Sequence, residues 1–145
     1  MGRICMSDEK QRPKIGMGVY IRKDGKILLG KRRGVNGAGF WCPPGGHLEM
    51  NEEWEECGRR ETLEEAGVEI QNFAFVTATN DINTEDGKHY VTLHCVADWK
   101  SGEAQTLEHD KIGDWGWYAL EALPEPLFLP ARNFLKNGYN PLNFN

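Results

Sequence analysis

No uncharged apolar run in this 145-residue chain approaches the length of a bilayer span. The start "MGRICMSDEKQRPK" mixes charges but contains no apolar h-region of a secretory signal. The expectation is a soluble, intracellular and cytoplasmic protein without membrane partners. Cysteine is sparse and scattered: Cys5, Cys42, Cys57 and Cys95 form no C-x-x-C pair, so neither a zinc site nor a disulfide lattice is signalled, and reduced thiols are expected. An excess of positive charge is also missing. A net charge of −5 argues against duplex nucleic acid as a partner, because that affinity rests on clustered Lys and Arg releasing counterions. It leaves room for a single nucleotide that arrives with a cation. Repeats, linkers and low-complexity segments are absent as well, and 39% hydrophobic with 27% charged residues is ordinary for a globular protein. The expected organisation is an N-terminal arm over 1–14 and one domain over 15–145.

Lysine is absent from the most charged segment. Over residues 45–70, "GGHLEMNEEWEECGRRETLEEAGVEI", Glu52, Glu53, Glu55, Glu56, Glu61, Glu64, Glu65 and Glu69 face only Arg59 and Arg60 as cations. A solvated helix usually interleaves its signs. Asn51 can cap a helix near 52–66 whose first turn holds Glu52 and Glu53, and Gly67 suits the residue past its end. On a wheel of roughly 100° per residue, Trp54, Cys57 and Gly58 share a sector with Glu61, Glu64 and Glu65, while Glu55, Arg59 and Thr62 take another side. If Trp54 and Cys57 pack on a sheet, the three carboxylates point toward protein. Like charges at that spacing repel, and burial raises their pKa unless a cation lies between them. A hard divalent ion, Mg²⁺ with Mn²⁺ as the alternative, supplies that charge through oxygen ligands. The competing reading is a solvated acidic face paired with the arginines.

Around this helix the chain reads as strands. "IGMGVYI" alternates Ile15, Met17, Val19 and Ile21 on one side, and Asp24-Gly25 signals a hairpin into "KILLGKR". "GVNGAGFWCPPGG" is too rich in Gly and Pro to be an element and reads as a shaped loop. "VEIQNFAFVTAT", "HYVTLHCVAD" and "DWGWYAL" read as strands, with "NDINTEDGK" between the first two, and "LFLPARNFLKNG" reads as a helix stopped by Gly138. Strands with one central and one terminal helix imply a mixed sheet covered on both faces, an α/β/α sandwich of α+β class.

Several side chains are candidates for a nucleotide. Lys31 or Arg32, at a strand end, can clamp a polyphosphate, with solvated strand-end charge as the bland alternative. Phe40, Trp41, Trp115 and Trp117 can stack a base, although aromatics are more often core. Asn80 and Asp81, placed at the end of a strand, can read a base edge, and turn chemistry explains them equally.

Gly46, Glu52, Arg60, Glu61, Glu64, Glu65 and Gly67 fit G-x5-E-x7-R-E-U-x-E-E-x-G-U, closed by Val68 and with Thr62 at the U position, so the chain resembles the MutT-like Nudix hydrolases. "LLGKRRG", "PPGGHLE", "EWEECGRRETLEEAG", "HYVTL" and "LPEPLFLP" further resemble the nucleoside-triphosphate diphosphatase branch that includes the human thiopurine-nucleotide-hydrolysing enzyme and plant relatives, with Pro43 where that branch usually has an apolar residue. The resemblance implies a Nudix fold and Mg²⁺-dependent water attack on phosphorus, releasing nucleoside monophosphate and pyrophosphate from a nucleoside triphosphate, oxidised or otherwise modified ones included. It implies Glu61 and Glu65 as metal ligands, Glu64 as ligand or base, a carbonyl at Gly45 or Gly46 completing the site, and an Arg60–Glu52 ion pair aiming Glu61. It also implies a homodimer, an acid at Glu108 near the metals, and His47 and His89 in pocket-lining motifs. Dihydroneopterin triphosphate, a dinucleotide or a nucleotide sugar would use the same chemistry. A non-catalytic nucleotide-sensing module is the alternative of a different class.

Overall fold

The computed structural model describes residues 10–34 and 36–144. Cys5, most of the proposed N-terminal arm and Val35 of the Gly-rich loop lie outside the described residues. Strand β1 (Lys14–Lys23) turns at Asp24-Gly25 into β2 (Lys26–Arg32). Both turn residues have positive φ, 52° and 74°, as the hairpin signal requires. The Gly-rich stretch is less irregular than its composition suggests, since it carries two short strands, β3 (Trp41–Cys42) and β4 (Gly45–His47). Helix α1 (Trp54–Ala66) follows, then β5 (Glu69–Asn83), β6 (Lys88–Ser101), β7 (Ile112–Tyr118) and helix α2 (Leu129–Lys136).

The sheet runs β3-β2-β1-β6-β5, with β4 also on β1 and β7 on β2. It is mixed: β1 and β6 are parallel, and the other pairings are antiparallel. Alternation along β1 builds both sides of the core. Met17, Val19 and Ile21 pack with Cys57 and Ala66 of α1 on one face, while Tyr20 packs with Phe134 of α2 on the other. Burial of such side chains contributes roughly 1.5–3 kcal/mol each, and the two layers hold the helices on opposite faces. The expected α/β/α sandwich is therefore the architecture.

Local expectations differ at several points. Helix α1 starts two residues later than its acidic pattern implied. Asn51 has φ of 65°, and Glu53 is the N-cap, its N–H donating to Glu56 at 2.8 Å. Gly67 ends the helix in the left-handed region, as expected. Trp54 is not an inward anchor: it is 43% exposed and leans on Phe75 at the sheet edge. Thr62, assigned by the wheel to the outer side, is fully buried and satisfies its hydroxyl on the Arg59 carbonyl at 3.1 Å. Strands β5 and β6 extend through most of "NDINTEDGK", leaving a tight turn, so Asn80 and Asp81 lie within β5 and are not turn residues.

Candidate active site

A cleft of about 530 Å³ opens where β4, α1 and the β1–β6 pair meet. Its construction depends on two glycines. A Cβ on Gly45 would sit 1.9 Å from the Met17 carbonyl oxygen, so only glycine lets β4 lie this close to β1. A Cβ on Gly46 would sit 1.2 Å from Glu61 Oε2, so this glycine is the gap through which the Glu61 carboxylate reaches the cleft. Glu65, one turn on, accepts the Gly45 N–H at 3.0 Å and joins Glu61 in the lining. Glu108 lines the same cleft.

Arg60 fixes this arrangement from behind. Its Nε donates to Glu52 Oε2 at 2.7 Å and its Nη2 to Glu52 Oε1 at 3.0 Å, a bidentate pair. The same Nη2 donates to the His47 carbonyl at 3.2 Å, and Nη1 lies 3.3 Å from Glu61. One guanidinium thus ties the loop after β4 to the helix and faces Glu61. Its hydrogen bonds push the Glu52 carboxyl down to about 2. Glu61 and Glu65 move the other way. Burial raises Glu61 to about 7 and Glu65 to about 8, and the neighbouring Glu108 charge adds to both.

Among the described residues no three His, Cys, Asp or Glu side chains are already gathered into a metal cluster. The donor set nevertheless fits a hard divalent cation. Two oxygen donors with raised proton affinity share one cleft, and an ion of this type uses one or two carboxylates and retains waters. Glu61 and Glu65 would hold it, with Glu108 within the same lining.

Not every expected residue comes to the cleft. Gly46, Glu61, Glu65, Glu108, Arg32 and His47 line it. Arg32 stacks over Phe128 at 3.9 Å and donates to the Asn36 carbonyl at 3.0 Å, with no acidic partner among the described residues. His47 stacks on Tyr90 and exchanges a 3.1 Å hydrogen bond with its hydroxyl. Glu52 and Arg60 stand behind the lining, and Glu64 is 48% exposed beside Arg60, outside the sector shared by Glu61 and Glu65.

Lys31, Phe40, Trp41, Asn80 and Trp117 do not line the cleft. Lys31 is an exposed strand charge. Trp41 packs edge-on against Tyr118, and Trp117 packs against the α1-side core, so both aromatics are structural. Phe40 is a half-buried loop residue whose carbonyl receives the Arg32 N–H. Asn80 points to the outer face of β5 and bonds His89, which takes that histidine out of the cleft too. Its neighbour Asp81, the other base-edge candidate, lines the cleft, and Thr92, Tyr90 and the bare backbone of Gly16 and Gly18 are lining that sequence reasoning did not assign. The small-residue alternation Gly16, Gly18 opposite Met17 and Val19 was the signal for that floor.

The glycine-gated loop, the acidic helix and the mixed sheet define a class. The NUDIX domain pattern matches residues 12–138, and the chain belongs to that family. It is 34% identical to a MutT NUDIX hydrolase of Burkholderia pseudomallei, with a TM-score of 0.82 over 89% of this chain and 100% of that one. It is 30% identical over 131 residues to the oxidized purine nucleoside triphosphate hydrolase of Danio rerio, covering 83% of this chain and 81% of the relative. It is also 30% identical over 127 residues to the NAD-capped RNA hydrolase NudC of Chromobacterium violaceum, covering 86% of this chain but 46% of that protein. The chain therefore spans about half the length of that relative. No helix of the described residues is long and apolar enough to cross a membrane.

Proposed function

We propose that this chain hydrolyses the phosphoric anhydride of a nucleoside triphosphate, by water attack on phosphorus with Mg²⁺, releasing nucleoside monophosphate and pyrophosphate. The observation that carries this reading is the pair Glu61 and Glu65, brought into one cleft by the missing Cβ of Gly46 and by the Gly45 N–H. When bound there, the cation supplies charge neutralisation for the phosphate oxygens and lowers the pKa of a coordinated water.

The protein's own part is positioning. Arg60 holds Glu61 in place and keeps the loop on α1. Arg32, stacked on Phe128, presents a guanidinium to phosphate oxygens. Glu64, exposed beside Arg60, serves as a further ligand or as the base that orients water, and Glu108 adds negative charge within the cleft lining. Phosphoryl transfer requires this kind of positioning and charge stabilisation more than a covalent nucleophile. Retention of Glu61, Glu64 and Glu65 together speaks against a purely sensing module.

Placement near the nucleoside-triphosphate diphosphatases rests on the stretches quoted above, and the similarity to an oxidized purine nucleoside triphosphate hydrolase supports it. A dinucleotide substrate is the second reading, favoured by the relatives named NAD-capped RNA hydrolases. The test is product analysis on normal and oxidised nucleoside triphosphates, dihydroneopterin triphosphate, dinucleotides and nucleotide sugars, with and without Mg²⁺. Pyrophosphate release from a triphosphate, dependent on Mg²⁺, is expected. Release of inorganic phosphate alone, or turnover confined to dinucleotides, would overturn the reading.

A further inference from the structure

Besides Glu61 and Glu65 the cleft is lined by Gly16 and Gly18 of β1, which present no side chain, and by Asp81, Thr92 and His94. Asp81 is 3% exposed, and among the described residues no ion pair reaches it. A carboxylate buried without a cation persists only when hydrogen bonds satisfy it. Three donors do so: Thr79 Oγ1 at 3.0 Å and Thr92 Oγ1 at 2.5 Å bond Oδ2, and Asn133 Nδ2 of helix α2 bonds Oδ1 at 2.8 Å.

The direction of every proton in this network follows from Asp81. A carboxylate only accepts, so the single hydroxyl protons of Thr79 and Thr92 are both committed to it. Thr79 Oγ1 also lies 2.7 Å from His94 Nε2, which must therefore carry the hydrogen. That assigns Nδ1 as the acceptor for the Tyr20 hydroxyl at 3.2 Å. Burial holds His94 neutral, pushing its pKa down to about 4, so one ring nitrogen stays free to accept. The chain Tyr20, His94, Thr79, Asp81 is thus polarised one way, with all its protons aimed at the carboxylate. Asp81 and Thr92 both belong to the cleft lining, and with these protons committed the capacity they retain is to accept, through a remaining lone pair on Asp81 Oδ1 and those on Thr92 Oγ1.

We propose that Asp81, with Thr92, is the specificity-determining residue of the cleft, an acceptor-only wall that selects a nucleobase whose edge presents hydrogen-bond donors, an exocyclic amino group first among them. This rests on the nucleotide reading above. A base that presents a carbonyl or a bare ring nitrogen there places acceptor against acceptor. A site built to receive an N–H rejects the analogue that lacks it because its own buried polar groups are left unpaired.

Guanosine and inosine triphosphates differ only in the exocyclic amino group, and they form the test pair. We would measure kcat/KM for both, and calorimetric Kd for their α,β-methylene analogues, in wild type, Asp81→Asn and Thr92→Val. The wild type is expected to favour the amino-bearing base by about tenfold or more in both measurements. Asp81→Asn and Thr92→Val should each reduce that ratio to within about threefold. The ratio is internal to each protein, so a loss of folded fraction cancels from it, and Thr92→Val covers the case in which Asp81→Asn fails to fold. A wild-type ratio near one, or an unchanged ratio in both variants, would overturn the inference. Selective binding without turnover would instead leave the acceptor wall standing and overturn the hydrolase reading.

Discussion

Replacing Arg60 by alanine separates two functions that one guanidinium combines. Its bidentate partner Glu52 is 11% exposed, whereas Arg60 itself is 27% exposed. Breaking a fully buried ion pair costs roughly 3–5 kcal/mol because the remaining charge is stranded. Water reaches the Arg60 side of this pair, so about 2 kcal/mol is expected, together with the lost contact to the His47 carbonyl. For a domain of this size that lowers Tm by several degrees. The pH dependence carries the signature. Because Arg60 holds Glu52 down to about 2, below the ordinary 4.5, the pair's contribution is full above pH 4.5 and is lost as pH falls toward 2. Urea titrations of wild type and Arg60→Ala at pH 7 and pH 3.5 should therefore show a gap that shrinks at the lower pH. Turnover should also fall at least tenfold, since Glu61 loses the group that faces it. Equal stability at pH 7, or a gap that widens on acidification, would refute this account of the pair.

Glu61→Gln and Glu65→Gln should each lower turnover on the order of 100-fold or more while leaving the fold intact, as read by steady-state kinetics and circular dichroism. Gly46→Ala should be folded with a nearly unchanged Tm but lose about 100-fold in activity, because the new Cβ displaces the flexible end of Glu61 and not the backbone. Burial raises Glu65 to about 8 from 4.5, so the metal-free folded state keeps a proton that the unfolded chain has released. Its contribution is present below pH 4.5 and is lost as pH rises through 8. The stability of Glu65→Gln relative to wild type should accordingly increase by roughly 1 kcal/mol per pH unit between 5 and 8, and added Mg²⁺ should narrow that difference.

Much of this was legible in the chain because local rules were sufficient. Asp24-Gly25 needs positive φ and a hairpin supplies it, and Gly67 closes α1 for the same reason. The spacing of Glu61 and Glu65 put both on the inward side of one helix. The wheel failed for Trp54, Thr62 and Glu64, where each residue's neighbours decide exposure: Trp54 finds only the sheet edge, and Glu64 is drawn out beside Arg60. The candidate base contacts Trp41 and Trp117 proved to be packing residues, since aromatic character alone does not state which side of a strand faces the cleft. For Asp81 the sequence left a base-edge contact and turn chemistry equally open, because its strand continues past a sequence rich in Asn, Asp and Gly. The pairing of Asp81 with Tyr90 across β5 and β6 is a long-range property that composition does not carry.

The most direct test of the central claim is Mn²⁺ binding, followed by water-proton relaxation, in wild type, Glu61→Gln and Glu65→Gln. The wild type should show a site that tightens as pH rises through 7–8, with protons released on binding, and that weakens at least tenfold in each variant. Mn²⁺ binding unchanged in both variants would contradict the assignment of Glu61 and Glu65 as the residues that hold the cation.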